Sequence, residues 1–139
     1  MRPTYMALLL VCFLAGPVSA DEPIEYKLAV IDAGRYVAKD DVSVARFRSL
    51  LRQLSDKFVE SDQRIADITV KGQSMLRDEG MAETMLNMME GINKIFYSRI
   101  ENQKYAEYLS VYVVLRTKGQ THSEAISGLQ ALMRALGVF

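Results

Sequence analysis

The chain has 139 residues, half of them hydrophobic and 24% charged, with 17 basic and 17 acidic side chains and a formal net charge of zero. That balance argues against a nucleic-acid partner, because displacing counterions from a phosphate backbone takes clustered Lys and Arg, and here both signs are interleaved. One cysteine rules out an internal disulfide framework, and the length suits one domain.

In chain order, Met1-Arg2-Pro3-Thr4 is a short basic start, and Met6 to Gly16, "MALLLVCFLAG", is an uninterrupted apolar run. Pro17 breaks the run, and Val18-Ser19-Ala20 supplies the small residues a signal peptidase reads. Residues 1–20 therefore read as a secretory signal peptide cleaved between Ala20 and Asp21. The run is shorter than the ~20 apolar residues that cross a bilayer. Cys12 sits inside it after Val11, which argues against lipidation. Cleavage removes Cys12 and Arg2 but no acidic residue, so the mature chain is one charge acidic of neutral. Asn87, Asn93 and Asn102 all lack the hydroxyl partner of a glycosylation sequon, which fits a bacterial periplasm or secretion from it. After Ala20 no apolar stretch reaches membrane length, so stable membrane insertion is not expected.

Residues 21–139 read as one helical domain. Pro23 is the only proline left, and few prolines permit long helices. A first, weak helix runs from Glu25 to about Ala38, with Leu28, Ile31 and Arg35 on one face. Asp41 or Ser43 can cap a second helix, whose Val44, Phe47, Leu51, Leu54 and Phe58 recur at steps of three and four. Ser61 or Asp62 caps a third, through about Glu79, with Ile65, Ile68, Gly72 and Met75/Leu76 inward and Gly80 past its end. A fourth runs from about Ala82 to Ser98. For the fifth segment, Gln103 to Lys118, "YLSVYVVL" is rich in β-branched residues and reads alone as a buried strand. With no other strand to pair with, it is expected to be a helix buried on most sides, separate from the fourth or continuous with it. Thr121-His122-Ser123-Glu124 is a capping box for a last helix with Ile126, Leu129, Leu132/Met133 and Leu136 inward and Gly137 at its end. The fold class is an all-α single-domain bundle of five or six helices.

Met81, Met85 and Met88 in "MAETMLNMME" fall within about 60° of one another on a helix, with Met89 beside them. Such a stripe has three readings: flexible core filler, an adaptable protein-binding groove, or a thioether site for Cu(I) with Met85 and Met88 as ligands. His122, the only histidine, lies at a helix mouth and reads as a surface or capping residue. A haem ligand is expected in a helix interior, and Cys-x-x-Cys-His is absent. Gly-x-Ser-x-Gly, His-Glu-x-x-His and a calcium loop are also absent. The acidic doublets Asp40-Asp41 and Asp78-Glu79 sit at expected loops or helix ends. Tyr97, Tyr105, Tyr108 and Tyr112 cluster around the fourth and fifth helices, the last three on one flank, as a core edge or a recognition face. The terminal "LGVF" could be captured by a sheet-edge domain.

These observations point to a non-enzymatic protein that binds another protein, as an inhibitor or immunity-type protein or as an accessory subunit of an envelope or secretion assembly. Met85, Met89, Tyr105, Tyr108 and Tyr112 are its expected contact residues, with no catalytic residue, metal or cofactor. The competing reading is a small-ligand or Cu(I) carrier using the methionine-rich helix.

Overall fold

The computed structural model describes residues 21–139; residues 1–20, read above as a signal peptide, and Cys12 among them lie outside the described residues. The helices are α1 (Ile24–Ala33), α2 (Val42–Lys57), α3 (Asp62–Asp78), α4 (Met85–Ile95), α5 (Tyr105–Thr117) and α6 (His122–Ala135), with no strand among the described residues. The described residues form the expected all-α bundle, with six helices. None of them is long and apolar enough to cross a membrane.

Local chemistry sets most of these ends. The Asp41 carboxylate accepts the Ser43 N–H at 2.8 Å and opens α2, and Ser61 accepts the Arg64 N–H at 3.3 Å and opens α3. Each satisfies an amide that the first turn leaves without a partner. Thr121 and Glu124 close the reciprocal box at the start of α6. Helix α1 stops at Ala33, short of the expected Ala38, because Gly34 turns left-handed at φ 63° and its N–H returns to Val30 and Ile31.

Two expectations about α4 and α5 are corrected. Helix α4 begins at Met85 and not Ala82, since Thr84 is its cap and accepts the Asn87 N–H at 3.1 Å. That leaves Met81 outside the helix. It also ends at Ile95 and not Ser98, and residues 96–104 separate it from α5. "YLSVYVVL" is helical, with Tyr108, Leu109, Tyr112 and Val113 inward and Ser110 and Val114 outward.

Helix α4 is the axis of the bundle and touches each of the other five helices. Around it pack Phe47, Leu54, Ile65, Leu76, Leu109 and Leu129. At Gly91 a Cβ would stand 2.6 Å from Ile126 Cδ1 and 2.9 Å from His122 Cε1, so only glycine permits α6 to lie this close to α4. Leu132 and Leu136, expected on the inner face of α6, point out, because the seam runs through Ala125, Leu129 and Met133.

Candidate functional site: a buried carboxylate and the cleft beside it

The five expected contact residues are inside the protein. Met85, Met89, Tyr105 and Tyr112 are each 0% exposed and Tyr108 is 8% exposed. Their position on the central helix, or on the flank of α5 that faces the core, gives them no surface for a partner. The stripe periodicity was sound, but periodicity shows which residues share a face and not what covers it. Met85, Met88 and Met89 serve as core side chains, the Met88 methyl lying against Gly72. The buried hydroxyls have internal partners: Tyr105 with Thr69 at 2.8 Å, Tyr108 with Gln103, and Tyr112 with Glu83 and His122. Burial pushes the Tyr105 and Tyr112 phenols well above their ordinary range, and for Tyr112 the neighbouring Glu83 charge adds to this.

Glu83 is the centre of the main polar cluster. It precedes the α4 cap, and its side chain is only 6% exposed. Oε1 accepts from Thr84 N at 3.2 Å and Asn87 Nδ2 at 3.0 Å. Oε2 faces the Arg116 guanidinium at 3.2 Å and accepts from the Tyr112 hydroxyl at 3.3 Å. Arg116 is itself only 13% exposed, so this ion pair is largely withdrawn from water. His122 completes the cluster: its Nδ1 lies 2.7 Å from the Tyr112 oxygen and 3.8 Å from Glu83 Oε2. The ring stands edge-on to Tyr112, with centroids 5.6 Å apart. His122 is therefore packed into a cluster and is not a plain mouth residue. Imidazole, phenol and carboxylate form one hydrogen-bonded chain. Among the described residues no serine or threonine is hydrogen-bonded to the ring. No group of three potential metal-ligating side chains (His, Cys, Asp or Glu) occurs among the described residues.

A cleft of about 490 Å³ opens beside this cluster, lined by Asp32, Gln73, Arg77, Met81, Glu83 and Thr84 among others. The Gln73 amide, buried on α3, organises its wall. Gln73 Nε2 donates to Asp32 Oδ1 at 2.8 Å and to the Glu83 carbonyl at 3.0 Å, while its oxygen receives Arg77 at 3.4 Å. Asp32 also accepts Met85 N at 2.8 Å and Leu86 N at 3.4 Å. It thereby places a negative charge at the positive end of α4.

At another place in the bundle, aromatic rings gather. Phe58 and Phe96 lie 4.9 Å apart, Phe96 and Tyr108 4.9 Å, and Phe96 and the terminal Phe139 6.2 Å. Gly137 turns left-handed, and the Val138 N–H returns to Met133, so the "LGVF" end folds back onto this cluster. Tyr97 is 92% exposed, Leu136 70% and Phe139 51%. Sequence reasoning singled out Tyr97 only as one of four tyrosines, and it is the one that faces outward.

Fold and site together define a small all-α bundle with a buried ion pair beside an open cleft. A family model matches residues 33–134, from the end of α1 into α6, and the chain belongs to the MoxZ family. Comparison with curated proteins and with solved structures gives no significant match.

Proposed function

We propose that this protein is exported to the periplasm or beyond it and acts there without catalysing a reaction, by binding another protein through its aromatic end. The observation that carries the reading is the exposure of Phe139, whose ring meets the buried Phe96, together with that of Tyr97, next to Phe96 in the chain, and of Leu136, three residues before Phe139. Exposed apolar groups gathered in one place mark interaction sites on soluble proteins. Aromatic anchors on a rigid base are the usual hot spots of such interfaces. Export is supported by the basic start, the apolar run and the Val18-Ser19-Ala20 site. An inhibitor, an immunity-type protein or an accessory subunit of an envelope or secretion assembly would each work in this way.

The test is a native mass on protein recovered gently from its own cells. The expected result is a chain beginning at Asp21 in complex with a second polypeptide. Tyr97→Ala and Leu136→Ala should then each weaken that complex by more than about 1 kcal/mol, the level expected of anchor residues. A chain still beginning at Met1 would refute export, and unchanged affinity in both variants would place the interface elsewhere.

A further inference from the structure

The cleft presents two opposite charges that the fold leaves partly open. The Arg77 guanidinium, in the last turn of α3, has Gln73 Oε1 as its only hydrogen-bond partner among the described residues, at a long 3.4 Å. A guanidinium has five N–H donors, so most of those on this exposed, cleft-lining residue have no protein partner. Asp32 Oδ1 is saturated by Gln73 Nε2 and Met85 N, both at 2.8 Å. Its Oδ2 holds only the 3.4 Å contact from Leu86 N and retains acceptor capacity. Glu83 and Arg116 neutralise each other at 3.2 Å, so the wall adds no net charge of its own.

The Gln73 amide shows what fits between these charges. It holds a donor nitrogen and an acceptor oxygen on one carbon, the nitrogen on Asp32 and the oxygen on Arg77. An α-amino acid carries a donor ammonium and an acceptor carboxylate joined through one carbon, with full charges in place of dipoles. It can bridge the same two groups from the open side, with charge-assisted bonds at both ends. Thr84 Oγ accepts the Asn87 N–H and keeps its own proton for a carboxylate. Met81 and Ala82 line the same cleft and offer an apolar wall. A volume of about 490 Å³ is ample for a ligand of this size.

We propose that this cleft binds a free α-amino acid as its zwitterion, the carboxylate on Arg77, the ammonium on Asp32 and a small apolar side chain against Met81. The site is separate from the aromatic end and stands whether or not a protein partner binds there.

The experiment is calorimetry, together with amide spectra, on the protein as recovered from its cells, titrated with L-alanine, L-valine and L-methionine to millimolar concentrations. Binding is expected, with shifts at the Gln73, Arg77 and Thr84 amides. N-acetyl-L-methionine lacks the ammonium and L-methioninamide lacks the carboxylate, and each should bind at least about ten-fold more weakly than methionine, a tenth of the equilibrium constant for each lost charged contact. Arg77→Gln, an exposed change within an intact helix, should weaken binding to the same degree without moving the melting temperature. Absence of binding by all three amino acids, or equal binding of the blocked forms, overturns the proposal. Should Arg77→Gln fold poorly, the two blocked ligands on the unaltered protein still decide it.

Discussion

Helices α2, α3 and α6 differ from α4 and α5 in where their ends are closed. Asp41, Ser61 and Thr121 each lie next to the helix they cap, and the bond spans two or three residues. Helix α4 has Thr84 of its own, but its first amides also go to Asp32, and its last turn receives Lys57 on the Asn93 carbonyl at 2.9 Å. Helix α5 has no side-chain cap of its own; the Glu60 carboxylate takes Tyr105 N at 2.9 Å and Ala106 N at 3.1 Å. Anions stand at both starts and a cation at the one end, as the helix dipoles require. Lys57 is the last residue of α2 and Glu60 lies in the turn that follows it, so one junction reaches both the end of α4 and the start of α5. The ends of α4 and α5 thus take tertiary charges, and the starts of α2, α3 and α6 are set by local sequence.

Three perturbations test this contrast. Glu83→Ala should have the largest effect, because it leaves the Arg116 guanidinium buried without its counter-charge. A loss of about 3–5 kcal/mol in urea unfolding is expected, the usual result of deleting one partner of a buried pair. Glu83→Gln, which keeps an acceptor for Thr84 N, should recover part of it. A loss below about 1 kcal/mol in the alanine variant would show that the pair behaves as a surface contact.

Asp32→Ala comes next, at about 2–3 kcal/mol, since it strips an acceptor from two α4 amides and from Gln73. Hydrogen exchange sharpens the comparison. The Met85 and Leu86 amides should exchange faster, while the Ser43 and Glu124 amides, held by their own caps, should not change. Equal acceleration at all four would mean that α4 is not separately dependent on α1.

The smallest effect is that of acid on the local caps. The Ser43 hydroxyl and N–H hold the Asp41 carboxyl below its usual range, and the Thr121 N–H does the same for Glu124. The folded state then binds these protons less readily than the unfolded chain. Their contribution is complete above the unfolded value of about 4 and is lost as pH falls through the lower folded value. The melting temperature should hold from pH 7 to about 5 and decline below about 4. Asp41→Asn and Glu124→Gln should both flatten that decline; a decline unchanged in both variants would assign it to other carboxylates.

The same contrast explains what could be read from the sequence. The starts of α2, α3 and α6 were legible because hydroxyl or carboxylate caps precede apolar periodicity there. The break between α4 and α5 was not, because "RIENQK" holds neither proline nor glycine; there Asn102 turns left-handed at φ 61°, and the first amide of α5 goes to Glu60, some 45 residues earlier. The face of the methionine stripe was legible, but its burial was not, because five surrounding helices cover it. Glu83, Tyr112, Arg116 and His122 went unrecognised as a group because they come from a loop and two helices. The i, i+4 spacing of Tyr112 and Arg116 was the only local sign that any two of them meet.

The bond from Asp32 to the Met85 amide spans 53 residues. A helix of 11 residues, the length of α4, is marginal in water by itself. Bringing a carboxylate to it from so far back carries a loop-closure entropy that must be met before the contact rewards it. Helix α4 is therefore expected to consolidate late, together with α1, which carries Asp32. In kinetic terms, weakening the Asp32 contact should speed unfolding more than it slows folding, since such late contacts are largely absent from the transition state.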